Sequence, residues 1–232
     1  MDQKTYYNRL HRGEIHIRKE RMSYIADRFS DEMMWLAGIR PGDKILDVGS
    51  GEGCLEQEYK EILENTFVVG IDVSYEALKL SKARYRIVAD ASTLPLKDDI
   101  FDKVLSRETL EHMDTIHIVK KTLSEMNRVL KKGGIASLST PNGNCLVFFL
   151  TNIVRGRRNT NPTLHPTMLT KVTLERLMKN SGFNAEIRSY LFPVPVPRYE
   201  YMFPKKIMHY LYYMGRLTPS VAHGFIIKAV KK

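Results

Sequence analysis

Ile45-Leu46-Asp47-Val48-Gly49-Ser50-Gly51-Glu52-Gly53 decides how this chain is read. A short apolar run ends in a cluster of glycines. Glycine lets the backbone turn tightly and approach a ligand where any Cβ would clash. A helix is expected to start at Cys54, so its free N–H groups can meet a polar or anionic group. Asp72 ends the next apolar run, 25 positions after Asp47. A carboxylate there can accept both hydroxyls of a ribose. A glycine-rich turn beside an incidental aspartate would account for a lone GxG. Strand, loop, helix, strand and Asp in that order argue instead for a ligand site, because doubly wound sheets bind outside the carboxyl ends of their strands.

Working outward, strand and helix alternate from residue 44 to 140. Strands are expected at Lys44–Val48, Thr66–Ile71, Arg86–Ala89, Phe101–Leu105 and Ile135–Ser139. Helices are expected at Cys54–Leu63, from a Ser74 cap through Arg84, and at Thr115–Leu130, the last closed by Lys131-Lys132-Gly133-Gly134. Upstream, Ile15, Met22, Ile25, Phe29, Met33 and Leu36 recur at helical steps between Glu14 and Ala37. Downstream, Thr170 caps a helix ending at Gly182, and Asn184–Leu191 and Gly224–Val230 are two final strands. This is the pattern of an open, doubly wound, mostly parallel α/β sheet of seven strands. Residues 192–220, with five prolines and many aromatics, form a basic, aromatic insertion between the last two strands.

Composition sets outer bounds. The 232 residues are 43% hydrophobic and 27% charged, which excludes a fully disordered chain. The longest apolar run, Cys145–Leu150, is far too short to span a bilayer. Met1–Glu20 is polar and has no signal-peptide core, and two cysteines, Cys54 and Cys145, form no disulfide framework. A cytoplasmic location is the expectation, with the membrane periphery as an option. The charge is uneven. Residues 1–150 carry 22 Lys+Arg against 23 Asp+Glu, while 151–232 carry 14 against only Glu175, Glu186 and Glu200. Such a basic third suits an acidic partner: a phosphate-bearing substrate, an anionic membrane surface or nucleic acid. The bland alternative is a solvated basic surface.

The glycine segment resembles motif I (D-x-G-x-G) of the class I S-adenosylmethionine-dependent methyltransferases, and other pieces follow in the family's order. Val69-Gly70-Ile71-Asp72-Val73-Ser74 resembles the acidic loop after the second strand. Asp90-Ala91, with Leu94-Pro95-Leu96 and Phe101-Asp102-Lys103-Val104, resembles the adenine-side loop and fourth strand. Leu130-Lys131-Lys132-Gly133-Gly134 resembles the turn before the fifth. The resemblance covers roughly residues 40–190. It implies a Rossmann-like fold in one methyltransferase domain: an N-terminal helical segment (1–40), a cofactor-binding core (41–142), and acceptor or lid insertions (143–168 and 192–220). It implies S-adenosylmethionine as cofactor and S-adenosylhomocysteine as product. Asp47, Gly49, Ser50 and Gly51 would surround the amino-acid part of the cofactor. Asp72 would hold the ribose hydroxyls, Val73 would pack on the adenine, and Asp90 and the Ala91 N–H would bond its edge. Arg107 would sit near the methionine end, where the family usually has a small or neutral residue.

Glu108, Glu111 and His112 follow the fourth strand at a spacing that can gather two carboxylates and an imidazole. Such a trio can bind a divalent metal. It resembles the E-x-x-E-H segment of the ubiquinone-biosynthesis O-methyltransferases and of the small-RNA terminal 2′-O-methyltransferases. Both show a later histidine after a turn like Thr140-Pro141-Asn142, here His165. Many relatives keep such a segment without metal, so a structural or substrate-orienting role is favoured over a metal held by Glu108, Glu111, His112 and His165. Methyl transfer needs no nucleophile, only alignment and, for a hydroxyl acceptor, a base. His112 and His165 are the candidates.

Three functions compete. The first is methyl transfer to a small-molecule or lipid-like acceptor on oxygen, the acceptor being of a quinone or isoprenoid type. The second is nucleic-acid methylation using the basic third, disfavoured because no appended RNA-binding domain is recognisable. The third is a non-catalytic protein that binds S-adenosylmethionine. A dehydrogenase is the weakest reading, because Gly49-Ser50-Gly51-Glu52-Gly53 lacks the dinucleotide spacing. Ile207, Leu211 and Met214 would share a helix stripe able to enter a membrane interface, with Lys205, Lys206 and Arg216 on anionic headgroups.

Overall fold

A computed structural model describes residues 5, 8, 12, 23–81, 83–146, 166–192 and 203–232. The strand before the glycine loop, β1 (Lys44–Val48), is buried from Ile45 to Val48, as an apolar strand covered on both faces must be. It pairs in parallel with β2 (Phe67–Asp72) on one side and β4 (Phe101–Arg107) on the other. β3 (Tyr85–Val88) extends the sheet beyond β2, and β5 (Leu130–Pro141) beyond β4, both in parallel. β7 (Gly224–Lys231) enters antiparallel between β5 and β6 (Phe183–Tyr190). Among the described residues the seven strands run in the order β3-β2-β1-β4-β5-β7-β6. The strand order reverses beside β1, which puts the crevice of a doubly wound sheet above its carboxyl end.

Side chains alternate between two cores, as the two-residue period of a strand requires. Leu46, Val48, Val104, Leu138 and Ile227 face one layer. There they meet α5 (Ile116–Val129), through Leu123 and Met126, and α6 (Lys171–Asn180), through Leu174 and Met178. Ile45, Leu105 and Ile226 face the other layer. That layer is built from α1 (Ser23–Ala37) and α7 (Lys205–Met214) through Phe29, Met33, Met208 and Tyr212. An aromatic stack binds it: Tyr190 lies 5.4 Å from Phe29 and 5.7 Å from Tyr212. Glu32 of α1 then accepts hydrogen bonds from Tyr212 (2.9 Å), Arg216 (2.8 Å) and Arg188 (3.2 Å).

Most expected strands lie within one or two residues of their observed bounds, and the departures have local causes. The helix expected over Cys54–Leu63 is split into α2 (Cys54–Glu58) and α3 (Lys60–Leu63), with Tyr59 leaving helical geometry and donating its hydroxyl to Asp31 of α1 at 2.9 Å. The helix capped by Ser74, α4 (Tyr75–Leu80), stops four residues before Arg84, because Ser81 turns extended and caps Ala77 and Leu78. Lys131-Lys132-Gly133-Gly134 is not a helix-closing turn. It lies inside β5 as an irregularity: Phe101 pairs Leu130 but Lys103 pairs Ile135, and Gly133 takes φ +74° to absorb the extra residues. β4 reaches Arg107, two residues beyond expectation. In α7 the expected stripe is divided. Leu211 packs inward beside buried Met208 and Tyr212, whereas Ile207 and Met214 stay exposed. The expected start of the first helix, 14–22, and the central parts of both insertions, 147–165 and 193–202, lie outside the described residues.

Gly215 ends α7 against the β6 turn, and its carbonyl accepts the Ser189 hydroxyl at 2.8 Å. A Cβ there would run into the backbone of Tyr190 and Leu191. Gly215→Ala is expected to lower stability by roughly 1–3 kcal/mol, the usual cost of overpacking a close contact. Urea denaturation of the two proteins measures it.

Candidate functional site

The glycine loop is held by the strand beside it. The N–H groups of Gly49 and Ser50 both donate to the Ile71 carbonyl, at 2.8 and 3.0 Å. Gly49 has φ +77°, and a Cβ on it would strike the Thr109 side chain. Thr109 is itself seated by donating to the Val48 carbonyl (3.3 Å). Gly51, at φ +53°, donates its N–H to Asp72 Oδ2 at 2.9 Å, and beyond it is open space. Asp72 Oδ1 accepts the Ser74 N–H at 2.8 Å, and Ser74 caps α4 by accepting from Ala77 at 3.1 Å. One carboxylate therefore joins the loop after β1 to the helix after β2.

A pocket of about 290 Å³ opens above this loop, lined by Asp47, Gly49, Ser50, Gly51, Glu52, Cys54, Leu55 and Arg107. Five of the expected cofactor residues thus share one cavity, and Asp72 stands beside it through Gly51. Arg107 brings the positive charge. Its guanidinium is fixed by Glu58 at 2.5 Å and the Ser30 hydroxyl at 3.2 Å; burial pulls its pKa down, but Glu58 outweighs it and holds the proton more tightly than usual. Asp47 is buried, and burial, then Glu56 and Asp72, push its carboxyl well above the ordinary range while Arg107 pulls it down. Glu56 sits beneath the loop with both carboxyl oxygens buried and without hydrogen-bond partners, and burial raises it as well. The Ser50 hydroxyl is likewise buried without a partner. Such a pocket, with a cation, acidic groups, an unused hydroxyl and a glycine facing open space, suits a ligand that carries both ammonium and carboxylate. The donor set fits the amino-acid end of S-adenosylmethionine.

The other expected residues are distributed along the same edge. Val73 is half-buried beside Asp72. β3 ends in register with it, since Asp72 pairs Val88 and the Ala89 N–H donates to the Asp72 carbonyl at 3.1 Å. Asp90 follows, exposed, with Oδ1 accepting the Ser92 N–H at 2.8 Å. Ala91 packs partly buried on the core.

Past β4 the chain turns sharply. Glu108 takes φ +50°, a left-handed conformation rare for a side chain of its size. Its N–H donates to the Ser139 carbonyl (3.2 Å) and to the Ser139 hydroxyl (3.1 Å). Burial raises its carboxyl to about 7. Glu111 is buried in the short 3₁₀ turn Leu110–His112, accepts the Thr140 hydroxyl at 3.1 Å, and is raised by burial and by Glu108. His112, a quarter exposed, places Nε2 3.8 Å from Glu111 Oε1. Glu111 is thus near Glu108 on one side and His112 on the other, and among the described residues no group of three His, Cys, Asp or Glu is arranged to hold a metal ion. His165 lies outside the described residues.

Sequence reasoning missed four residues of this region. Glu58 and Ser30 orient Arg107 across 49 and 77 positions, which no local spacing reveals. Asn8 Oδ1 accepts the Ser74 hydroxyl at 2.8 Å, two residues from Asp72. Glu56 carried a signal that was available: a carboxylate two residues after the helix start, beside an apolar strand.

Glu108 yields a stability test. A carboxyl raised in the folded state binds its proton there and releases it in the unfolded chain, so stability falls as pH rises from about 4.5, the ordinary glutamate value, to about 7. Glu108→Gln should flatten that decline, and thermal melts between pH 4.5 and 8 measure it.

Comparison with known proteins bears on the family and the fold. Residues 46–138 match the family model described as "Methyltransferase domain". An uncharacterised protein of Methanocaldococcus jannaschii is 30% identical over 99% of this chain and 85% of its own length. Shorter matches include a tRNA (carboxymethyluridine(34)-5-O)-methyltransferase of Arabidopsis thaliana, 32% identical over 45% of this chain and 26% of that one. Another is a demethylmenaquinone methyltransferase of Renibacterium salmoninarum, 36% identical over 45% of each. The matched part is thus half or less of those two relatives. Among solved structures, a Thermotoga maritima SAM-dependent methyltransferase, described as a possible histamine N-methyltransferase, superposes with TM-score 0.65 at 18% identity, covering 99% of this chain and 100% of that one. With the ordered motifs, the 3-2-1-4-5-7-6 sheet and the glycine-loop pocket in place, the chain belongs to the class I S-adenosylmethionine-dependent methyltransferases.

Proposed function

We propose that this methyltransferase moves the methyl group of S-adenosylmethionine to an oxygen of a small-molecule or lipid-like acceptor. The observation that carries the reading is the pocket at the carboxyl end of β1, which Arg107 and Asp47 both line above a glycine loop clamped by Asp72. When bound, S-adenosylmethionine supplies an activated methyl on a sulfonium, so the protein's task is alignment and proton removal.

Each residue then has a task. Asp72 would hold the ribose hydroxyls while keeping its bond to the Gly51 N–H. Arg107, fixed by Glu58, would take the carboxylate of the methionine end, and Asp47 its ammonium. Val73, Asp90 and Ala91 would frame the adenine. His112 would accept the acceptor's hydroxyl proton. Glu111 Oε1 stands 3.8 Å from its Nε2 and would border the imidazole on that side. The acceptor would enter over residues 143–168 and 192–220. A small-molecule acceptor is supported by the demethylmenaquinone relative. The tRNA-modifying relative and the basic last third support the runner-up, an RNA acceptor.

Calorimetry with S-adenosylhomocysteine tests the cofactor roles. Asp72→Ala should weaken binding roughly 10- to 100-fold, the value of losing hydrogen bonds to a charged acceptor. The 2′-deoxy analogue should bind the native protein worse but the variant equally, because only the carboxylate distinguishes them. Equal binding of both analogues by the native protein would refute the ribose role. His112→Ala should cut kcat about 10²-fold or more while leaving the S-adenosylhomocysteine Kd unchanged. Methyl transfer from labelled cofactor to a panel of phenols, quinols and isoprenoid alcohols tests the acceptor. Transfer to RNA alone would reverse the order of the two readings.

A further inference from the structure

Helix α7 has two apolar faces. Met208 and Tyr212 are buried against α1 and β6, and Leu211 packs beside them. That face anchors the helix. Ile207, Tyr210 and Met214 recur at three- and four-residue steps on a second face, and Leu217 continues it into the 3₁₀ turn Gly215–Leu217. At 3.6 residues per turn they share roughly a quarter of the circumference. All four are open to solvent, Tyr210 at 61% and Leu217 at 81%. Single exposed hydrophobics need no explanation, but a continuous exposed stripe on an already anchored helix does.

The charge around the stripe says what it meets. Lys205 and Lys206 are exposed at its start, and neither forms an ion pair among the described residues. Lys206 borders the stripe by helical angle. No Asp or Glu occurs anywhere from Tyr201 to Lys232. Apolar and tyrosine side chains flanked by lysines, with acids absent, are the composition of a helix lying in the boundary layer of a negatively charged bilayer. Ten residues reach only about 15 Å, so the helix can lie in that layer and cannot cross the hydrocarbon.

We propose that the Ile207–Tyr210–Met214–Leu217 stripe, with Lys205 and Lys206, docks the protein on an anionic lipid surface. The position of α7 gives docking a use. The chain leaving it runs to Pro219, Ser220 and Ala222, whose carbonyls accept hydrogen bonds from Asn142 Nδ2 at 3.5, 3.3 and 2.9 Å. Asn142 follows β5 directly, at the carboxyl edge that also carries the glycine loop. Docking would therefore hold that edge of the sheet toward the membrane, whichever acceptor the enzyme takes.

Sedimentation of the full chain with vesicles tests this. The native protein should pellet with phosphatidylcholine vesicles containing a quarter phosphatidylglycerol and stay in solution with phosphatidylcholine alone. Lys205→Ala with Lys206→Ala should lower the partition coefficient about 10- to 30-fold. Ile207→Ser with Leu217→Ser, both on exposed positions and so expected to leave the melting temperature and S-adenosylhomocysteine affinity unchanged, should lower it at least as far. Failure of the native protein to pellet with anionic vesicles overturns the proposal. Binding that the serine pair leaves intact overturns it too, because the attraction is then only that of a basic surface. A dimer seen by light scattering, abolished by the serine pair and not displaced by vesicles, would give the stripe to a second copy instead. An RNA affinity that the serine pair destroys while vesicle binding stays would give it to nucleic acid.

Discussion

The site rests on a single coupling, the attachment of the loop after β1 to the end of β2. The Ile71 carbonyl receives two successive N–H groups, and the Asp72 carboxylate receives a third from Gly51. These bonds require the loop to pass where it does, with Gly49 against Thr109 and no room for a Cβ. They also leave the bare Gly51 backbone facing open space at the pocket. Parallel pairing of β1 with β2, residue for residue from Lys44 to Val48, sets the height of the two strand ends and so the geometry of all three bonds. The core on both faces of β1 keeps that register from slipping, since a one-residue shift would turn Leu46 and Ile45 into each other's layers.

Around that coupling the protein gathers acidic groups that burial discourages from ionising. Asp47, Glu56, Glu108 and Glu111 are all raised, and desolvation is the leading cause for each. Arg107 is the counterweight, lowering Asp47, Glu56 and Glu108 while being anchored by Glu58. The arginine is a local solution to a local excess of carboxyls. A bound ligand with its own positive charge would relieve the same excess.

Much of this was legible in the sequence because the decisive signals are local. Glycine spacing, the Asp72 that closes β2, and the Ser74 and Thr170 caps each announce themselves within a few residues, and each is where the spacing puts it. What was not legible depends on distant partners. No periodicity tells that Tyr59 will break a helix to reach Asp31, that Glu58 will pin Arg107, or that Asn8 will meet Ser74. Lys131 to Gly134 misled for another reason. Basic residues followed by glycines read as a helix terminus, but Lys131 instead pairs with Asp102 at 2.6 Å and stays in the strand. The stripe on α7 was misplaced because periodicity gives a helix two apolar faces and packing alone chooses which one is buried.

The placement of β7 imposes an order on assembly. Among the described residues it follows the other six strands in sequence, yet it sits between β5 and β6, pairing Ile135 with Val230 across 95 positions. Until it emerges, β5 presents an unpaired edge flanked by Ala136 and Leu138, and β6 has no neighbour at all. The five parallel strands that carry the glycine loop can form during synthesis, but the sheet closes only when β7 is free to thread in. Such late, long-range closure is intrinsically slow, and it leaves a sticky strand edge open to other chains in the interval. A newly made copy of this enzyme is therefore most vulnerable to misassociation after its cofactor loop is in place and before β7 has arrived.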